Sequence, residues 1–238
     1  MKPRSNFHIA KACLQSSLPK DKPAIVFINK NELKKISIEM LRENAGKVAS
    51  YVHQLNQKMG SDISKYIFVL LPNQPDFLYA VLGILQAGNV AVILPYSWTE
   101  EEVRQAQKRI GSKIIFTNRF DVSSYFEEVI SLNENFYKKI TPLENFYGSA
   151  EDEATLIFTS GTTSAPKAVV HAHRALLGRL PAIEYWAHLE KGDTVLHTGS
   201  LNWTYTFGLG FTDPLMVGAT SYLFESPPST EELILALE

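Results

Sequence analysis

One cysteine, Cys13, is all the thiol chemistry available to this chain of 238 residues. An intrachain disulfide and a thiolate metal cluster are therefore excluded, and a lone thiol near one end reads as a small hydrophobe in a reducing compartment. Charge of one sign is also lacking: 23 Lys and Arg against 25 Asp and Glu give a formal net charge of -2. That balance leaves no electrostatic footprint for nucleic acid or an anionic membrane surface. Unbroken apolar runs are missing too. The most apolar window, Phe77 to Leu94, contains Gln86, Gly88 and Asn89, and so falls short of a bilayer span. At the start, Asn6, His8, Lys11 and Gln15 interrupt every candidate apolar centre of a secretory signal. The expected setting is cytoplasmic, with no membrane span and no nucleic-acid partner.

Metal-ligand constellations are equally sparse. His171 and His173 alternate, as residues sharing one face of an extended strand would, but no third or fourth ligand lies nearby. Orientation of a helix entry is the better reading for them. The acidic run Glu151-Asp152-Glu153 reads as a solvated turn rather than a metal site.

What is present is an ordinary globular composition, 45% hydrophobic and 20% charged, with a regular alternation of apolar strands and helices. After a short helix or arm ending at Pro19, Ala24 to Asn29 and Lys35 to Ile38 read as a strand pair around a polar turn. From Ser37 or Glu39 to Met59 the apolar positions keep helical spacing, and Gly60 ends the run. Strand Tyr66 to Leu71, helix Asn73 to Ala87 and strand Val90 to Leu94 follow. Helix Thr99 to Arg109, with Glu102 three residues after its cap, then leads to strand Lys113 to Phe116. This alternation predicts an α/β fold, a mostly parallel doubly wound sheet flanked by helices. Residues 121–152 break the pattern and read as a connector holding one short helix, Ser123 to Ser131. The expected division is a first α/β subdomain over 1–150, and over 151–238 a loop segment that starts a second. In that second part His173 to Ala187 is expected to be helical, kinked or divided at Pro181. Strands Thr194 to Thr198 and Ser221 to Phe224, and a helix from Thr230 to Leu237, complete the reading.

The chain is organised around Leu156-Ile157-Phe158-Thr159-Ser160-Gly161-Thr162-Thr163-Ser164-Ala165-Pro166-Lys167. A buried strand gives way to small, hydroxylated residues with one glycine before one lysine. Polyphosphate presents many anionic oxygens and needs closely spaced N–H and O–H donors with no bulky side chain between them. Gly161 lets the backbone approach, Thr159, Ser160, Thr162, Thr163 and Ser164 supply hydroxyls, and Lys167 supplies countercharge. A Walker A loop is excluded, because Pro166 stands where its second glycine would be and Ala168 where its magnesium-binding Ser or Thr would be. Farther on, Trp203, Tyr205 and Phe207 stand between Gly199 and the pair Gly208 and Gly210. Rings beside glycines suit an apolar pocket wall, and a packed core corner explains them equally well.

The loop resembles the signature of the adenylate-forming, AMP-binding superfamily of acyl-CoA synthetases, luciferases and peptide-synthetase adenylation domains. That signature runs T-S-G-T-T-G-x-P-K-G-V before a basic, His-containing stretch, and this chain departs from it at Ser164 and Ala168. The stretch from Leu71-Pro72-Asn73 through Ala87-Gly88 to Pro95 resembles the family as well. So does Pro214-Leu215-Met216-Val217-Gly218-Ala219-Thr220, which is most similar to the acetyl-, medium-chain acyl- and benzoyl-CoA ligase branch. The resemblance implies the front part of the family's large N-terminal domain, with its second sheet incomplete. It implies activation of a small carboxylic acid by ATP with Mg2+, then thioester formation with coenzyme A as co-substrate. Thr159 to Ser164 and Lys167 would hold phosphate, while Trp203, Tyr205 and Gly208 would border the acyl group.

The family's later motifs have no counterpart here: an aromatic-G-x-[ST]-E segment, a ribose-binding aspartate and a C-terminal catalytic lysine. The expected chain is therefore an N-terminal fragment of an AMP-forming acyl-CoA synthetase. Its rival is a catalytically incompetent remnant that binds nucleotide weakly or acts as an interaction module. In either case an open sheet edge predicts self-association or a partner chain.

Overall fold

The computed structural model describes residues 6–19, 21–30, 32–60, 64–159 and 166–237. Helix α1 (Ile9–Leu14) is short, and its buried face includes Cys13, whose thiol burial pushes well above the usual range and leaves it inert. Strands β1 (Ile25–Asn29) and β2 (Glu32–Ile36) form the expected antiparallel pair, with β2 beginning earlier than Lys35. Helix α2 (Ile38–Met59) starts at Ser37, whose side chain accepts the Met40 N–H, and stops at Gly60.

The expected alternation then runs through β3 (Tyr66–Leu70), α3 (Pro75–Gln86), β4 (Val90–Ile93), α4 (Glu100–Ile110) and β5 (Ile114–Thr117). Helix α3 is buried at every position except Asp76, because it lies between α2 and the inward faces of both sheets. Gly83 makes that fit: a Cβ there would stand 2.5 Å from the Val48 Cβ on α2. Helix α4 carries the capping box at Thr99 and Glu102 and packs Val103 and Ala106 on the opposite face of the sheet, against Phe68, Val92 and Ile115. Helices on both faces are the mark of a doubly wound sheet.

The connector departs from expectation. In place of a helix over Ser123 to Ser131 there is a 3-10 turn, Ser123–Tyr125, followed by strand β6 (Glu128–Ile130); helix α5 (Glu134–Lys139) comes after it. Val129 and Ile130 are β-branched and extend the sheet in parallel beside β5.

Strand β7 (Glu153–Thr159) is followed by β8 (Lys167–Ala172), antiparallel to it. The expected helix over His173 to Ala187 is a 3-10 segment, His173–Arg179, and a π-helical segment, Ala182–Trp186, divided at Pro181. Proline has no N–H to continue the ladder. Strand β9 (Thr194–His197), helix α6 (Thr204–Phe207), a π-turn over Gly208–Thr212, α7 (Asp213–Val217), β10 (Thr220–Phe224) and α8 (Thr230–Leu237) complete the chain.

Two sheets result. One has the order β6-β5-β3-β4-β7-β8, parallel but for β8; the other has the order β2-β1-β10-β9, parallel but for β2. Each draws strands from both sides of residue 150, so the expected division at 150 is not followed by the sheets: β1 and β2 lie with β9 and β10, and β7 and β8 with β3 to β6. Asn73, just before α3, ties the two together. Its Nδ2 donates to the carbonyls of Gly199 and Phe224, both at 3.0 Å, and its Oδ1 accepts the Leu201 N–H at 2.9 Å.

Candidate functional site

Strand β7 runs into the sheet as a buried parallel neighbour of β4 and delivers Thr159 to the carboxyl edge, where doubly wound proteins bind ligands. The chain returns in β8, so Thr159 and Lys167 are cross-strand partners, and the Thr159 hydroxyl donates to the Lys167 carbonyl at 3.4 Å. The antiparallel return closes the base of the loop between them. Ser160, Gly161, Thr162, Thr163 and Ser164 lie outside the described residues. Lys167 is exposed and makes no ion pair with another described residue.

One anchor of this loop was invisible in the sequence. Arg109, from the last turn of α4, donates through Nη1 to the Pro166 carbonyl at 2.7 Å. No motif announces a contact between residues 57 positions apart.

Trp203 stands across from the hairpin. With Thr159, Phe158, Pro95 and Trp98 it lines a cleft of about 220 Å³, in which the Trp98 and Phe158 rings lie 5.1 Å apart. It also lines a larger cleft of about 650 Å³, between the ends of β3 and β4 and those of β9 and β10. Trp203 is 64% exposed, so its indole is a wall rather than core.

The other two residues expected beside it are placed elsewhere. Tyr205, two positions on in a helical turn, faces outward near the His197 ring at 5.6 Å, in a separate hollow with Trp186 and Leu209. Burial holds the His197 pKa below its ordinary value. Gly208 lines a small cavity of about 160 Å³ that shares Ile157 and Thr204 with the first cleft. Its role there is steric. A Cβ at Gly208 would stand 2.2 Å from the Arg179 Cζ, so glycine lets the guanidinium lie flat against the π-turn. Arg179 holds the fully buried Asp213, with Nε at 2.9 and 3.0 Å from its two carboxylate oxygens and Nη2 at 2.6 Å. A buried carboxylate needs such a fork-shaped partner.

The two histidines are separated in role. His171 lines the small cavity, whereas His173 is buried: its Nδ1 accepts the Ile9 N–H at 3.1 Å and its ring lies 3.9 Å from that of His8. Burial, and then His8, pushes the His173 pKa down to about 3. His8 is lowered as well, mainly by burial and slightly by Lys11, while bonds to the Leu85 and Tyr147 carbonyls oppose the shift. Two neutral imidazoles in tilted contact at a helix entry are structural. Of the acidic run, Glu151 pairs with Arg174, Asp152 accepts from Ser149, and Glu153 binds Lys65 and the Tyr66 hydroxyl. Each acid thus has its own partners: Glu151 and Asp152 lie in the turn, and Glu153 opens β7.

The doubly wound α/β fold thus sets the β7–β8 hairpin, which brackets the glycine- and hydroxyl-bearing segment, at the carboxyl edge where folds of this class take their ligands. The comparison with known families is specific: the model of the AMP-binding enzyme family matches residues 14–237, and the chain belongs to that family. It is 23% identical to acetyl-coenzyme A synthetase 2 of Candida glabrata over 88% of this chain. It spans 36% of that relative's length. Among solved structures it is similar to an acyl-CoA synthetase of Brucella canis, with a TM-score of 0.84 and 20% identity over 100% of this chain and 47% of that one. It is also similar to ATP-bound MatB of Rhodopseudomonas palustris, with a TM-score of 0.80 and 19% identity over 98% of this chain and 47% of that one. The fold is thus that of the N-terminal portion of adenylate-forming enzymes, and the chain spans about half the length of those solved chains.

Proposed function

We propose that this chain is the front portion of an AMP-forming acid–thiol ligase. In the proposed reaction ATP converts a small carboxylic acid to an acyl-adenylate and pyrophosphate, and coenzyme A then takes the acyl group as a thioester. The observation that carries the proposal is the β7–β8 hairpin, which sets Thr159 opposite Lys167 at the carboxyl edge and beside the cleft walled by Trp203.

Adenylation needs a carboxylate oxygen held in line with the α-phosphate while cations and N–H donors absorb the developing charge. Thr159, Ser160, Gly161, Thr162, Thr163, Ser164 and Lys167 would grip the β- and γ-phosphates, and Arg109 would keep the loop's far end in place. Trp203 would bound the carboxylate end of the acid. Gly208 and Arg179 would wall the deeper cavity, and Tyr205, facing the separate hollow beside His197, would take no part in it. Mg2+ would be carried with the nucleotide, because magnesium uses few protein ligands alongside phosphate oxygens. Among the described residues no group of three His, Cys, Asp or Glu could hold a metal ion.

Two coarser proposals accompany this one. No described helix is long and apolar enough to cross a membrane, and a cytoplasmic setting suits ATP-dependent activation. The edge strand β9, with Val195, Leu196 and His197 only half covered, would pair with a second copy or with a strand from another chain.

Calorimetric titration of ATP into the chain and its Lys167→Ala variant tests the cradle. Loss of a charge-assisted phosphate contact should weaken binding by about tenfold or more, while the ligand-free melting temperature stays unchanged because Lys167 is exposed. Equal ATP affinity in the two proteins would sink the reading. ATP–pyrophosphate exchange with short, medium and aromatic acids then separates adenylation from binding alone.

A further inference from the structure

The small cavity next to the Trp203 cleft has one side made of sheet. Thr155 on β7 and His171 on β8 are direct cross-strand partners, so their side chains leave the sheet on the same face, and Ile157, two positions along β7, shares that face. All three line the cavity. Its other walls come from Leu176, Arg179, Phe207, Gly208 and, from α1, the buried Ile9. Directly opposed residues of an antiparallel pair have Cβ atoms about 4.5–5.5 Å apart. One ligand atom can therefore meet both Thr155 and His171.

The polar groups of this lining differ in what they already hold. Arg179 is spent on Asp213, whose carboxylate balances its charge, and the Thr212 hydroxyl donates to the Phe207 carbonyl at 3.3 Å. Thr155 and His171 have no such engagement: neither side chain hydrogen-bonds another described residue. Thr155 is 3% exposed, and the accessible surface its hydroxyl keeps faces the cavity that it lines. A hydroxyl and an imidazole side by side on an otherwise apolar floor suit one ligand group that both accepts and donates.

We propose that the cross-strand pair Thr155 and His171 reads a hydroxyl on the acyl group, so that the acid taken is a hydroxylated aromatic one. The inference rests on the acid–thiol ligase reading of the neighbouring cleft. The cavity, about 160 Å³, is of the size, roughly 150 Å³, that houses a benzene ring in a protein core. The ring passes Ile157 and Thr204, which the cavity shares with the Trp203 cleft, and its carboxylate stays on the Trp203 side toward Thr159. The ring hydroxyl then accepts from the Thr155 hydroxyl and donates to a His171 nitrogen. A second carboxylate in that place meets no unbalanced cation, because Asp213 already neutralises Arg179. An unsubstituted ring leaves both polar groups without a partner.

The test is calorimetric titration of 3-hydroxybenzoate, 4-hydroxybenzoate, benzoate and adipate into the 238-residue chain in the presence of ATP, with ATP also titrated alone. The better of the two hydroxybenzoates is expected to bind about tenfold or more tightly than benzoate, with amide shifts at Thr155, His171 and Gly208. Thr155→Val removes the hydroxyl at nearly constant shape, and His171→Phe keeps a ring without its nitrogens. Each should bring the ratio of hydroxybenzoate to benzoate affinity close to one. His171 is half-buried on β8, so its variant keeps the proposal testable if Thr155→Val unfolds. Equal affinity for hydroxybenzoate and benzoate, tighter binding of adipate, or a ratio unchanged in both variants would overturn the proposal. ATP binding without a hydroxyl preference faults this inference alone. A hydroxyl preference without ATP binding faults the adenylation reading and leaves Thr155 and His171 in their role.

Discussion

His173 shows what burial does to one side chain. In the folded chain its pKa lies near 3, while in the unfolded chain it returns to about 6.5. Above pH 6.5 both states are neutral and the histidine leaves stability unchanged. As pH falls from 6.5 toward 3 the unfolded chain binds the proton that the native chain refuses, and stability declines by up to about 1.4 kcal/mol per pH unit. His8 shifts in the same direction and adds to the slope, against a favourable field from Asp152 on both rings. The carboxylates Asp152 and Glu153, held low by Ser149 and by Lys65, titrate at lower pH. Urea unfolding between pH 6.5 and 5 should therefore report the histidines. His197, also lowered by burial, contributes to the same slope, so a His173→Gln variant should lose part of it, and an unchanged slope would assign the acid sensitivity elsewhere. The alternation of His171 and His173 was legible in the sequence; their separation was not. Burial against His8, 165 positions earlier in the chain, is a tertiary fact that no local pattern encodes.

Helices and strands were more legible than residues, in proportion to how much each element buries by itself. Tyr66 to Leu70 and Val90 to Ile93 are central parallel strands, apolar on both faces, and they stand out as runs. Helix α4 announces itself through Thr99 and Glu102, and the capping box forms. Short edge elements gave less away. Strand β6 has three residues, and β8 reads Lys-Ala-Val-Val-His-Ala with partial exposure throughout, so neither has a run or an alternation to recognise. The loop was recognised by composition, whereas the phase of the short helix α6 decided that Trp203 faces the cleft and Tyr205 does not. Helix α4 also links stability to the site, because its last turn carries Arg109. Thr99→Ala should cost about 1 kcal/mol in chemical denaturation through the lost cap. Arg109→Ala should leave stability within about 0.5 kcal/mol, as an exposed surface change does, while weakening ATP several-fold by freeing Pro166. Equal ATP affinity in Arg109→Ala would limit that arginine to a surface contact.

At the scale of the whole molecule, the four-stranded sheet ends at β9 with its outer edge available for pairing among the described residues. Exposed rings stand near it: Trp186 at 64% and Tyr205 at 58%. Light scattering should show a mass that rises with concentration, and Val195→Lys, which places a charge on the edge, should return it toward the monomer. A constant monomer mass across the concentration range would retire the proposed strand pairing. The same sheet has a history in time. Its first strand, β1, finds its parallel partner β10 only at the far end of the chain, where Asn29 reaches Glu225 across 196 positions. On a ribosome adding about 5–20 residues per second, the β1–β2 hairpin waits roughly 10–40 s for that neighbour to be made. During that interval the apolar faces of Val26 and Ile28 are a nascent-chain hazard. A chaperone that shields the β1–β2 hairpin would therefore act on this chain before the segment between β7 and β8 has been translated.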